Sequence, residues 1–186
     1  RGVLHNYLLR LAKIDADYAD FLYIGSEKSI RIAHPLKCNG FDAQLRIGGK
    51  IDRIDVKGDT VNIVDYKTGS ADKKESISLD DIFGNNADSA GYRLQAFLYA
   101  IALDELLNKS TDMVLERDLA WVNDVVKSGA QKVAPSLLYM KKSKDKKTKQ
   151  PIDNISREDC IIKLDKEAVT DIKSLKEEFI AKLDDV

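Results

Sequence analysis

The chain has 186 residues, with 30 lysines and arginines against 31 aspartates and glutamates, 44% hydrophobic residues and 33% charged ones. These values suit one domain with a full core, or one domain plus an appendage, and exclude a disordered chain, and a net charge of −1 does not by itself announce nucleic acid. The longest unbroken apolar run, Ala96 to Leu103, is far short of a membrane span, so no membrane partner is expected. Cys38 and Cys160 stand alone with no C-x-x-C pair, which argues against a disulfide framework and fits a reducing, cytoplasmic compartment. No signal peptide is visible, but the chain opens at Arg1 without a methionine and reads as an excised piece of something larger.

In chain order, residues 3 to 18 read as a helix, with Val3, Leu4, Tyr7, Leu8, Leu11 and Ile14 as one apolar stripe. After Gly40 the period changes: Phe41 to Val56 and Thr60 to Lys67 read as strands joined across Gly58-Asp59, a two-residue hairpin signal. The polar stretch Asp72 to Asn86 reads as a loop. Asp88 or Ser89 is positioned to cap a helix running to about Asn108, with Leu94, Phe97, Leu98 and Ile101 on its buried face. Val133 to Met140 and Cys160 to Leu164 read as strands, and Ala168, Val169, Ile172, Leu175, Phe179, Ile180 and Leu183 mark a C-terminal amphipathic helix. This order predicts an α/β or α+β layer arrangement. Between the two late strands, Lys141 to Gln150 holds six lysines and one aspartate. Such loops are usually solvated, but this one could also neutralise phosphates without reading sequence.

The hairpin carries the chemistry. With Gly58-Asp59 as the loop, Val56 faces Val61, Ile54 faces Ile63 and Asp52 faces Asp65, and Lys67 shares their face because strand side chains alternate. Like charges directly opposite are destabilising, so such a pair persists only with something cationic between or beside it. The bland alternative is that Lys67 neutralises one acid while the other points to solvent. Asp-x-Lys alone is uninformative, because it also occurs at Asp55, Asp72, Asp145 and Asp171. Asp65 differs in following the apolar run Val61-Asn62-Ile63-Val64 and in having a partner acid in register. Two such carboxylates with a backbone carbonyl between Asp65 and Lys67 suit a hard divalent ion, and the lysine can stabilise developing negative charge. The reaction class this suggests is metal-assisted hydrolysis, most naturally of a phosphodiester.

GKIDRID (Gly49 to Asp55) followed by VDYKTG (Val64 to Gly69) resembles the nuclease domain of RecB and AddB within the PD-(D/E)XK superfamily. Gln95-Ala-Phe-Leu-Tyr99 resembles that family's Q-x-x-x-Y helix, and Gly2-Val-Leu-His5 its histidine-bearing helix start. The resemblance implies a restriction-endonuclease-like α/β core, a mixed central sheet flanked by helices, across one nuclease domain over residues 1–186, cut from the C-terminal part of a larger protein. It implies that Asp52, Asp65, the Tyr66 carbonyl and His5 ligate Mg²⁺, or Mn²⁺, and that Lys67 is the catalytic lysine. Gln95 and Tyr99, one helical turn apart, would border the site and contact DNA. Tyr92 and the loop lysines Lys141, Lys142 and Lys144 are further candidates for DNA contact. The implied activity is an exonuclease-type deoxyribonuclease, partnered with a helicase in double-strand-break repair and recombination. Two alternatives are a catalytically silent DNA-binding module of the same fold and a CRISPR-associated or phage relative. An iron–sulfur cluster, which some relatives carry on four cysteines, does not fit Cys38 and Cys160, although a longer chain could hold one.

Other residues have plainer readings. His5 without the resemblance is a half-buried core histidine. His34 before Pro35, in a strand-to-turn stretch, reads as structural or exposed, and Trp121 as core. Arg53 and Asp55, on the face opposite Asp52, read as an ion pair supporting the hairpin. Glu27 carries no assignment. Core packing is an equal alternative for Tyr92.

Overall fold

The sheet grows out of the tight turn at Gly58-Asp59. In the computed structural model, which describes residues 2–38, 41–70, 78–83, 90–109, 117–141 and 156–184, strands β2 (Phe41–Lys57) and β3 (Thr60–Ser70) pair antiparallel in the predicted register, Val56 opposite Val61 and Ile54 opposite Ile63. Gly58 takes φ 60°, the left-handed region that a tight hairpin demands at one of its two loop positions. Strand β1 (Leu22–Cys38) runs antiparallel to β2, and β4 (Lys132–Lys141) runs parallel to β3, so the mixed sheet has the order β1-β2-β3-β4. The stretch around His34, expected to run into a turn, instead continues β1, with His34 opposite Leu45. A parallel neighbour requires a crossover. It contains helices α2 (Leu79–Phe83), α3 (Ala90–Lys109) and α4 (Val122–Ser128).

Helix α1 (Gly2–Asp17) and helix α3 cover opposite faces of the sheet. Under α1, Ile14 packs with Val64, Leu138 and Cys160, flanked by Leu11, Tyr66 and Met140. The main core lies on the other side, where Phe97, Ala100, Ile101 and Leu103 of α3 meet Ile54, Val61 and Ile63. From Tyr99 to Leu106 every residue of α3 is buried, so the predicted one-sided stripe is a helix enclosed all round. Helix α5 (Lys173–Asp184) docks through Phe179, whose ring lies 5.8 Å from Phe97 and 5.0 Å from Phe83, centroid to centroid. Among the described residues no helix is long and apolar enough to cross a membrane.

Four further expectations need correction. The apolar stripe of α1 is buried only at its C-terminal end, because Val3, Leu4 and Leu8 lie beyond the cover of the sheet and are exposed. The presumed loop at 72–86 contains α2, started by Ser78 and Asp81, whose side chains bond each other's backbone N–H. The strand expected at 160–164 shrinks to β5 (Lys163–Leu164), because Glu158–Cys160 is a 3₁₀ turn. The C-terminal helix starts at Lys173, because β5 first turns back on β6 (Glu167–Ala168) through Asp165 and Lys166, at φ 47° and 75°. The helix cap expected at Asp88 or Ser89 lies outside the described residues.

The predicted Arg53–Asp55 pair is present, and it is the centre of a buried network beneath α1. Arg53 Nε donates to Asp55 Oδ2 at 2.8 Å and its Nη1 to Asp15 Oδ2 at 2.6 Å. Arg157 Nη2 reaches the same Asp55 oxygen at 2.5 Å, and Asn62 Nδ2 donates to Asp55 Oδ1 at 3.1 Å. Burial alone would lower the pKa of the Arg53 guanidinium, but hydrogen bonds to Asp15 and Tyr66 and the field of Asp55 hold it above its ordinary value. The network ties α1, β2, β3 and the segment at Arg157 together. Asp55→Ala takes the shared carboxylate from two buried guanidinium groups, leaving Arg53 with Asp15 and Arg157 without its carboxylate partner, and is expected to cost about 3–5 kcal/mol, read from urea denaturation. A loss below about 1 kcal/mol, the scale of an exposed pair, would show that the network is decorative.

Candidate active site

Asp65 and Lys67 follow Val61 and Ile63 along the face of β3 that α3 covers. Asp65 is 6% exposed, and Lys67 Nζ stands 2.5 Å from its Oδ2. That oxygen is buried and has no other donor among the described residues. The Asp65 carboxyl pKa is pushed up, chiefly by burial and further by the charge of Asp52, with Lys67 pulling the other way. Burial and repulsion together outweigh the lysine.

Asp52 sits at a break in both neighbouring ladders. On one side the pairs are Ser26–Arg53 and Lys28–Ile51, with Glu27 between them at φ 52°. On the other, the β2–β3 ladder ends at Arg53–Val64. Asp52 therefore does not face Asp65 across a continuing ladder as simple alternation predicts. Its Oδ2 instead accepts the Tyr66 backbone N–H at 2.7 Å, taking the place of the next ladder bond. This brings Asp52 close enough to raise the Asp65 pKa while giving its own charge a donor. Irregular pairing that re-aims a side chain is a common feature of functional strands.

Helix α3 supplies the rest of the constellation. Gln95 Nε2 donates to the Tyr99 hydroxyl at 3.0 Å, so the i, i+4 pair shares a face as its spacing requires. The Tyr99 hydroxyl lies against Gly49 of β2, where a Cβ would overlap it. One turn before Gln95, the ring of Tyr92 lies under the Lys67 ammonium, 4.0 Å from Nζ to centroid. Tyr92 is 48% exposed, which removes the core-packing reading. Helix α3 thus meets these strands at two points, Tyr92 at Lys67 beside Asp65, and the Gln95–Tyr99 pair at Gly49, three residues before Asp52 on β2.

His5 is not drawn in. It is exposed on α1, and no cluster of three histidine, cysteine, aspartate or glutamate side chains suited to a metal forms among the described residues. The nearest link from that helix is Tyr7, whose hydroxyl donates to the Thr68 carbonyl at 3.4 Å. Lys141 is exposed at the end of β4, opposite Ser70, and so shares the sheet end that carries Lys67. Lys142 and Lys144 lie outside the described residues. Trp121 is buried and donates Nε1–H to the Ser29 carbonyl, and His34 meets Glu105 of α3 at 2.6 Å, both as structural residues. Cys160 packs in the core under α1, and the Cys38 side chain is not described.

Sequence reasoning missed two contacts that define the site. The Tyr66 N–H as partner of Asp52 has no sequence signal. The approach of Tyr99 to Gly49 has one, since paired glycines inside a strand mark a bulge or a close neighbour. The sequence profile of the PD-(D/E)XK nuclease superfamily matches residues 1–184. No curated protein and no solved structure matches the chain.

The raised Asp65 pKa fixes a sign. The folded protein disfavours the ionised carboxyl, so its charge subtracts stability as pH rises through the folded pKa and nothing below the unfolded value of about 3.9. Ion-free Asp65→Asn is therefore expected to be at least as stable as the wild type near pH 7, as judged by urea midpoints. The advantage should fade toward roughly pH 3. A variant clearly weaker near pH 7 would mean that attraction to Lys67 outweighs burial and repulsion. Gly49→Ala is expected to push Tyr99 off Gln95 and cost about 1–3 kcal/mol, the range for overpacking a closed contact.

Proposed function

Because this chain belongs to the PD-(D/E)XK nuclease superfamily, whose members are generally nucleases, we propose that it is a divalent-ion-dependent deoxyribonuclease of exonuclease type, of the RecB and AddB kind. The observation that carries the reading is the end of β3. There a buried Asp65 with an elevated pKa lies beside Lys67, and Asp52 is anchored on the next peptide N–H. A sheet that concentrates two acids where neither is fully neutralised is built to receive a cation. The donor set fits a hard, oxygen-seeking ion: Asp65 Oδ2 has no donor but the lysine, and one Asp52 oxygen is held by Tyr66.

In this reading Asp52, Asp65 and the Tyr66 carbonyl would hold Mg²⁺, or Mn²⁺; the motif resemblance adds His5 as a further ligand, which would have to move in from its exposed place on α1. The ion supplies charge stabilisation to the phosphate and lowers the pKa of a bound water. The chain's own residues do the remaining work. Lys67 places a positive charge beside the carboxylates, where a pentavalent phosphate would build negative charge. Gln95 and Tyr99, linked to each other and braced by Gly49, present a fixed polar edge to the DNA backbone or to the water beside it. Lys141 adds sequence-independent attraction for phosphates at the same end of the sheet, and Lys142 and Lys144, outside the described residues, follow it in the sequence. The helicase partner and the role in double-strand-break repair rest on the resemblance of the motifs to RecB and AddB.

Calorimetric titration with Mn²⁺ and Mg²⁺, followed by digestion of linear DNA, tests this on the wild type and on Asp52→Asn/Asp65→Asn. The wild type is expected to bind the ion and cleave, and the double variant to do neither. Lys67→Ala is expected to keep ion binding and lose cleavage. Absence of ion binding in the wild type would sink the nuclease reading in favour of a silent DNA-binding module.

A further inference from the structure

We propose that Tyr92 is a positioning residue whose ring is the seat of the Lys67 ammonium, an assignment that rests on the nuclease reading above. Lysine carries its charge on a flexible four-carbon stem, and a single carboxylate attracts that charge without fixing its direction. Here the ammonium has two fixed neighbours on different elements: Asp65 Oδ2 at 2.5 Å and the Tyr92 ring, 4.0 Å to its centroid. The Lys67 side chain is only 15% exposed, so its contact with the ring is partly sheltered from water, where a ring face contributes more than at an open surface.

Tyr92 itself is hard to explain as packing. It is 48% exposed, on a helix that two turns later is buried on every side. A large ring left half in water contributes little to the core, and what it covers is the lysine. The ring also differs from the carboxylate in kind. It cannot take the proton, and it is not a ligand for a hard cation. Once the Asp65 charge is engaged by an ion, the carboxylate's hold on Lys67 weakens while the ring's does not. The ammonium then keeps its place at the sheet end.

The test compares wild type, Tyr92→Leu and Tyr92→Phe by two independent readouts. The first is proton NMR of the Lys67 Cε methylene, assigned by its disappearance in Lys67→Met, with and without Mg²⁺. An upfield ring-current displacement is expected in the wild type under both conditions, kept in Tyr92→Phe and lost in Tyr92→Leu. The second is steady-state cleavage of linear DNA. Tyr92→Leu is expected to lose about 10-fold in kcat with KM changed less than about 2-fold, and Tyr92→Phe to recover most of the loss. A wild-type methylene without the displacement, or one unchanged in Tyr92→Leu, overturns the proposal. So does a raised KM at constant kcat, which would make Tyr92 a surface on which a base stacks. A wild type that shows the displacement but cleaves nothing overturns the nuclease reading, and the positioning role falls with it, while the contact itself has been read separately.

Discussion

Two carboxylates brought to the neighbouring inner strands of the sheet, where the β2–β3 ladder ends, repel each other, and the local structure is arranged around containing that repulsion. Asp52 is removed from regular pairing on both sides and given the Tyr66 N–H. Asp65 is left with Lys67 and an elevated pKa. The β2–β3 ladder stops at Arg53 and Val64, one residue short of both acids. The sheet forgoes that regularity, which is the expected mark of a strand shaped by chemistry as well as by folding.

The opposite face supplies the rigidity that such a site needs. One residue from Asp52 and one from Asp65, Arg53 and Tyr66 point the other way, into the network of Asp15, Asp55, Asn62 and Arg157 beneath α1. Alternation along a strand makes this inevitable: whatever fixes the odd residues of β2 also fixes the backbone that aims the even ones. On the near side, α3 is enclosed from Tyr99 to Leu106, so the Gln95–Tyr99 pair is mounted on an element with no room to turn. Acids and amide are thus held by different parts of the core, and their relative placement is set by packing.

What could be read in the sequence follows from the range of the interaction concerned. The β2–β3 register was legible because a two-residue loop containing Gly58 permits only one alignment, and the Gln95–Tyr99 face because i, i+4 spacing fixes it. Helix α2 was hidden because it is only Leu79–Phe83, started by its own Ser78–Asp81 exchange inside a polar stretch. The late hairpin before α5 was hidden because its turn uses Asp165 and Lys166 at positive φ, where glycine or asparagine is the usual signal. Arg157 could not be foreseen as the partner of Asp55, since 102 residues separate them and nothing local announces the meeting. The break at Asp52 was illegible for another reason: alternation describes an undisturbed ladder, and the site lies where the ladder stops.

The mixed direction of the sheet has a consequence for how the site comes into being. The β2–β3 pairing joins near neighbours such as Lys57 and Thr60, whereas β3–β4 joins Thr60 to Lys132 across the whole helical crossover. Closing the short loop costs far less chain entropy than closing the long one. The acids are therefore brought together by a local hairpin, while the aromatic ring and the amide belong to the crossover that leads to β4. The centre thus joins contacts of very different range: the two acids across a two-residue loop, and the lysine and its second neighbour Tyr92 across the chain between β3 and α3.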